Sequence, residues 1–143
     1  GHNNAVIANT FRYYENTTLP LSSPEFVTGI GSTAEKTALV GSSSKAKSVL
    51  CHSSISNWSK ASGLPFAKKG ERCYRLSASM AYYLVDVLNR AYQGENIGAL
   101  VGSKPTPDAQ DCQTCHGSTS TLGSAASVKT DMECTTCHTG HFN

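Results

Sequence analysis

The sequence predicts a mainly α-helical protein with much irregular coil, built as a single domain over residues 1–143. One segment, from about Ser77 to Gln93, carries a sustained helical periodicity of apolar residues. By contrast, Pro20, Pro24 and several glycines interrupt the first 47 residues before any periodic run reaches helix length. At 143 residues the chain is long enough for one modest core but not for two.

The predicted helix at 77–93 has one continuous apolar face. Ser77 is suited to cap its start, and Gly94 stands where a left-handed residue commonly ends a helix. The residues of the face recur at intervals of three and four, and they are Leu76, Met80, Tyr83, Leu84, Val87, Leu88 and Ala91. We expect this face to supply the main packing surface.

The N-terminal part is expected to contain only a few short strands and to be unable to form much of a core on its own. Extended pieces are predicted at 9–14 and 37–40, and a turn at 41–44 leads to a further apolar piece at 48–51. We therefore expect residues 1–104 to form a wrapping segment with one helix around a second segment, residues 105–143, which holds the cysteine motifs described below.

The composition of the chain disfavours nucleic acid as a partner and a transmembrane segment. Only 15% of the residues are charged, against about a quarter in an average protein, and the formal net charge is +2. Nucleic acid is therefore an unfavoured partner. No run of 18 apolar residues occurs, so we expect no transmembrane segment. The chain begins Gly1-His2, which is typical of a mature exported protein without its signal peptide.

Two copies of Cys-x-x-Cys-His occupy the C-terminal segment. The first comprises Cys112, Cys115 and His116, and the second comprises Cys134, Cys137 and His138. This is the attachment pattern of c-type haem: two thiols form thioethers to the two vinyl groups of one porphyrin, and the following histidine binds the iron. The sequence thus predicts two covalently bound haems c per chain.

A zinc-binding module is the rival interpretation, because the four cysteines also have the spacing of a four-cysteine zinc site. Zinc would leave both histidines unused. Histidine is 5 of 143 residues, so finding one by chance after both second cysteines has odds of roughly one in 800. The histidines therefore favour haem.

Three further histidines are available as the second axial ligands of the two irons: His2, His52 and His141. Bis-histidine ligation is the favoured arrangement, and Met80 or Met132 as a sixth ligand is the alternative. Either His52 or His2 would complete one of the two sites. If His2 bound an iron of the next subunit, head-to-tail repetition would generate an open filament.

The two remaining cysteines, Cys51 and Cys73, are predicted to form a disulfide, as an oxidising compartment would allow. Such a bond closes a loop of about 22 residues and stabilises the fold by about 3 kcal/mol in the chain-entropy model. It would also hold His52 in place. In the alternative, Cys51 and His52 belong to an incomplete motif that carries a third haem through a single thioether.

The C-terminal thirty residues resemble the multihaem c-type cytochromes, in particular small extracellular or periplasmic members from anaerobic respirers. The resemblance rests on Cys112, Cys115, His116, Cys134, Cys137, His138 and His141. It implies single-electron transfer without catalysis, redox partner proteins or extracellular acceptors as partners, and, in some members, a homopolymeric filament.

The short run from His138 to His141 is similar to the pattern in that family in which a histidine just after one motif binds the neighbouring haem. His141 is accordingly assigned to the haem of Cys112 and Cys115. Beside the filament, the sequence leaves open a monomeric periplasmic electron shuttle, and also a haem enzyme or sensor with an open coordination position.

Overall fold

A computed structural model describes residues 2–100 and 107–116 of the chain. The described part is mostly helical, with six α-helices, two short 3-10 turns and one two-stranded antiparallel ribbon. The mainly α-helical class predicted from the sequence is confirmed. The second Cys-x-x-Cys-His motif and His141 lie outside the described residues, and so does the side chain of His2.

The elements follow one another in a simple order. The helices are α1 (His2–Asn16), α2 (Pro24–Gly29), α3 (Ala34–Ala38), α4 (Cys51–Ser62), α5 (Gly70–Tyr92) and α6 (Pro107–His116). The 3-10 turns are Phe66–Lys68 and Ile97–Ala99. Strands β1 (Thr18–Leu19) and β2 (Ser44–Lys45) pair antiparallel, with Thr18 opposite Lys45.

Helix α1 replaces the extended piece predicted at 9–14. Its residues Val6, Asn9 and Tyr13 fall at helical intervals and meet α5, where Tyr13 stacks on Tyr83 with ring centroids 3.4 Å apart and ring planes 5° apart. The Tyr83 hydroxyl donates a hydrogen bond to Asn9. Aromatic residues suit both strands and helices, so local preference was a poor guide and tertiary packing decided the conformation.

The core between α1 and α5 is closed by the turn at Ile97–Ala99. Val6, Val87 and Ile97 are buried together, and Ala5, Tyr83, Ala91 and Leu100 pack around them. The N-terminal part therefore contributes to the core by packing against later helices. Leu19, Val40 and Ala46 from that part are also buried.

A second buried region lies between α4 and the strand ribbon. Trp58 of α4 is fully buried, and its indole N–H donates to the Val40 carbonyl at 2.8 Å. The side-chain amide of Asn57 donates to the carbonyl of Ala46, at 2.8 Å. These bonds anchor α4 to the chain before it, which is how the start of α4 acquires a defined position.

Helix α5 is longer than predicted and its buried face is rotated. It begins at Gly70, so Ser77 lies within it and does not cap it. Leu76 and Val87 are buried as predicted, but Leu84 and Leu88 are 37% and 49% exposed. In their place Arg72, Arg75 and Ser79 are buried, each with hydrogen bonds to other elements.

The predicted end of α5 at Gly94 is confirmed. Gly94 has a φ of +85°. The Gly94 N–H donates to the carbonyl of Ala91 at 3.1 Å, and the Glu95 N–H donates to the carbonyl of Arg90 at 3.0 Å. This pair of bonds is the Schellman pattern, in which a left-handed residue satisfies the last carbonyls of a helix.

The short helices around α5 depart from the strands predicted for this region. Residues 37 and 38 of the predicted extended piece at 37–40 belong instead to α3, where the Thr33 hydroxyl accepts a hydrogen bond from the Lys36 N–H and caps the helix. Similarly, residues 47–49 form a bend, the Leu50 N–H donates to the Ser48 hydroxyl at 3.0 Å, and Cys51 already begins α4.

Candidate haem-attachment site

The first Cys-x-x-Cys-His motif lies on α6. Pro107 is the first residue of this helix, where its fixed φ and missing N–H are well tolerated. Within α6, Cys115 and His116 follow Cys112 by three and four residues, so all three side chains share one side of the helix. Each of them is partly exposed.

This arrangement fits covalent haem attachment. Cys112 and Cys115 are both free thiols, and thioether formation requires free thiols. Among residues 2–100 and 107–116, no three His, Cys, Asp or Glu side chains converge to hold a metal ion. A c-type haem needs no such group, because the motif supplies one iron ligand, His116, while the thiols bind the ring.

His52 is the other histidine whose side chain the structure describes, and it is exposed in the first turn of α4. Its ring lies edge-to-face with Phe66, with ring centroids 5.9 Å apart and an interplanar angle of 81°. The Lys69 ammonium lies over the same Phe66 ring, 4.4 Å from its centroid. The three side chains form a surface group that we call the His52 cluster.

The chain reversal after α4 brings Phe66 to His52. Gly63 ends α4 with a φ of +71°. The Ser59 hydroxyl donates to the carbonyl of Leu64 at 2.6 Å, and the Leu64 N–H donates to the Ser62 hydroxyl at 3.2 Å. These bonds direct residues 64–66 back along α4, toward its first turn.

Arg72 lies beneath the same end of α4. Its guanidinium donates to the hydroxyl and the carbonyl of Ser54, two residues after His52. Arg72 is 1% exposed, and its Nε and Nη1 have no hydrogen-bond partner among the described residues. Arg72 therefore fixes α4 to α5 directly behind His52.

The sequence did not reveal Phe66, Lys69 or Arg72 as neighbours of His52. Phe66 and Lys69 follow a Gly-Leu-Pro turn, and this reversal was the available signal for their return to α4. No feature of the sequence indicated that Arg72 is buried, because arginine is usually exposed.

The predicted disulfide is wrong for the structure, in which Cys51 and Cys73 are both free. Cys51 is exposed at the start of α4, whereas Cys73 is partly buried on α5. The Phe66–Lys68 turn and the bonds of Arg72 position α4 against α5 without a covalent link, so His52 owes its place to packing.

None of the helices in the described ranges combines the length and the apolar character needed to cross a membrane.

Comparison with known proteins shows a cytochrome as a relative. No protein-family model matches the chain. The split-Soret cytochrome c of Desulfovibrio desulfuricans is 32% identical over 139 residues, which cover 94% of this chain and 46% of the relative. A solved structure of split-Soret cytochrome c from the same species, described for its novel iron centre, matches with a TM-score of 0.66 and 28% identity.

That structural match covers 95% of this chain and 54% of the solved one. The chain thus spans about half the length of the relative that it matches. Over nearly all of its own length, the chain is similar in sequence and in fold to part of a c-type cytochrome.

Proposed function

We propose that the chain is the haem-binding part of an electron-transfer cytochrome that carries two haems c. The observation that carries this proposal is the pair of free thiols, Cys112 and Cys115, with His116 on one side of α6, in a chain similar to a cytochrome c. Haem iron supplies a one-electron oxidation and reduction, and the protein holds the iron in a fixed ligand shell.

Each proposed haem is held by one motif. Cys112 and Cys115 would bind one ring and His116 its iron, and Cys134, Cys137 and His138 would do the same for the other. His141 would bind the iron on the opposite side from His116, and His52 or His2 the iron on the opposite side from His138. The exposed, oriented ring of His52 supports His52 as this ligand.

Bis-histidine ligation suits electron transfer rather than catalysis. With imidazole on both sides, an iron has no open position for a substrate, and we propose no enzymatic activity. Imidazole pairs also set lower reduction potentials than a histidine–methionine pair, because a thioether favours the reduced iron. A haem enzyme or sensor would instead bind carbon monoxide readily when reduced.

We place this activity outside the cytoplasm, in the periplasm or beyond the cell. Thioether attachment of haem in the cytochromes that this chain resembles is completed there. The partners would be redox proteins or extracellular electron acceptors, reached by single-electron transfer.

Haem stoichiometry tests the proposal. The pyridine haemochrome assay is expected to give two haems per chain in the wild type. The double variant Cys112→Ser/Cys115→Ser should give one, because only the second motif remains. The matched control, Cys51→Ser/Cys73→Ser, should retain two, since those thiols lie outside both motifs. A colourless protein with bound zinc would overturn the proposal, and loss of haem in the control would favour a third haem at Cys51.

The assembly state follows from the ligand at the second iron. If His2 bound the iron of the next subunit, the native protein would form filaments that disappear in His2→Ala while both haems are retained. If His52 is the ligand, electron microscopy of the native protein should show separate particles at all concentrations, in agreement with a diffusing shuttle. Filaments in the wild type would contradict this expectation.

A further inference from the structure

We propose that Phe66 is a positioning residue that holds the His52 imidazole in the orientation in which it binds iron. This inference rests on the proposed function, in which His52 is an axial ligand. The observation that points to it is the edge-to-face contact of the two rings on an exposed surface, at 5.9 Å and 81°.

The nitrogen atoms of His52 are available for a metal. Among the described residues, neither ring nitrogen of His52 has a hydrogen-bond partner, and the hydrogen bond of this residue runs from the Ser56 hydroxyl to its main-chain carbonyl. Ligand histidines in proteins are usually oriented by a hydrogen bond on the second nitrogen. Here an aromatic contact takes over that orienting role.

Phe66 is itself held in place, which a positioning residue requires. Pro65 precedes it with a φ of −67°, and the hydrogen bonds of Leu64 with Ser59 and Ser62 fix the returning chain. The ammonium of Lys69 lies 4.4 Å from the centroid of the Phe66 ring, where a cation is attracted to the ring. Phe66 is nevertheless 40% exposed, so its position does not derive from burial in the core.

The physical consequence is a smaller loss of freedom when His52 binds. An exposed histidine without neighbours rotates about two side-chain bonds, and ordering it opposes binding. An aromatic contact of this geometry changes an equilibrium by about three- to tenfold. Loss of the Phe66 ring should increase the fraction of time for which the iron lacks this ligand by the same factor.

The test compares variants of the intact, haem-loaded chain. In Phe66→Ala, the rate at which cyanide binds the oxidised protein should rise about three- to tenfold. The electron paramagnetic resonance lines of one low-spin haem should also broaden or shift, because the plane of the imidazole is no longer fixed. Phe66→Tyr, which retains the ring, should restore both properties.

The matched control is Phe11→Ala, since Phe11 is a 50% exposed phenylalanine on α1, outside the His52 cluster. It should leave the cyanide rate and the resonance lines unchanged. If Phe66→Ala fails to fold, Phe66→Leu, which retains the bulk but not the aromatic ring, takes its place with the same expectation.

Two results would overturn the inference, and they differ in meaning. If His52→Ala opens one haem to cyanide but Phe66→Ala behaves as the wild type, Phe66 does not position the ligand, and the proposed ligation stands. If His52→Ala leaves both haems closed, His52 is not a ligand and the inference falls with that assignment. In both cases a count of two haems per chain would still support the proposed electron-transfer function.

Discussion

The backbone conformation of Gly41 affects the position of the His52 cluster. Its φ is +67°, a region that residues with a side chain rarely adopt. A Cβ atom at this position would lie 2.9 Å from Ser62 Cβ and 3.1 Å from Leu64 Cδ1. Both neighbours belong to the reversal that returns Phe66 to α4, so the size of residue 41 affects the placement of Phe66.

The variant Gly41→Ala is expected to lower the free energy of unfolding by about 2 to 4 kcal/mol, through left-handed strain and crowding together. The matched control is Gly31→Ala, because Gly31 has a φ of +69° but no atom within 4 Å of the added Cβ. The free energy of unfolding of Gly31→Ala should fall by only about 1 kcal/mol. Chemical denaturation measures both values, and equal losses would show that the contact with Ser62 is not crowded.

At the scale of elements, the pairing of α1 with α5 organises the described part of the chain. The stacked Tyr13 and Tyr83 rings and the cluster of Val6, Val87 and Ile97 join α1 to the C-terminal half of α5. Burial raises the pKa of Tyr83 above its ordinary value of 10.0, and it raises the pKa of Tyr13 in the same way. Both hydroxyls are therefore protonated at neutral pH, and Tyr83 can donate to Asn9.

This shift predicts a loss of stability at alkaline pH. A tyrosine whose pKa is higher in the folded state stabilises the fold fully below pH 10.0, and its contribution is lost as the pH rises through the folded-state pKa. The wild type should thus unfold more easily above about pH 10. Tyr83→Phe should be less stable at pH 7, because the hydrogen bond to Asn9 is lost. Its stability should, however, change less between about pH 9 and 11 than that of the wild type.

The control for this experiment is Tyr92→Phe. Tyr92 is on the same helix but 94% exposed, so the stability of Tyr92→Phe should depend on pH in the same way as that of the wild type. Thermal unfolding by circular dichroism across the pH range provides the measurement. An identical pH dependence in Tyr83→Phe and the wild type would assign the alkaline loss to another group.

At the scale of the whole molecule, the structure places His52 on α4 and the first Cys-x-x-Cys-His motif on α6. In the proposed ligation, His52 on α4 would share an iron with His138, and His141 would share one with His116 on α6, so each iron would join different parts of the chain, and ligation and folding would reinforce each other. Removing one ligand should therefore affect both the iron and the protein.

His141→Ala tests the proposed ligation of the haem that Cys112 and Cys115 would hold. The variant should retain two haems by the haemochrome assay, but one iron should become partly high-spin and one reduction potential should rise, because one imidazole is lost. Optical spectra and a redox titration measure these changes. Two haems that remain fully low-spin in His141→Ala would show that His141 binds neither iron.

By itself, the sequence determined the features that depend on local chemistry. The Cys-x-x-Cys-His motif at Cys112, Cys115 and His116 was readable because it is a local pattern with a fixed spacing, and a helix carries that spacing on one side. The helical class and the end of α5 at Gly94 were readable for a similar reason, since periodicity and a left-handed cap are local properties.

Only the tertiary structure decided which residues meet across the chain. Residues 9–14 are helical because they pack on α5, Arg72 and Arg75 are buried because hydroxyl and carbonyl groups of other elements accept their hydrogen bonds, and Cys51 stays apart from Cys73. Phe66 meets His52 because Gly63 reverses the chain. Such contacts depend on the sum of many distant interactions, which no local pattern of residues encodes.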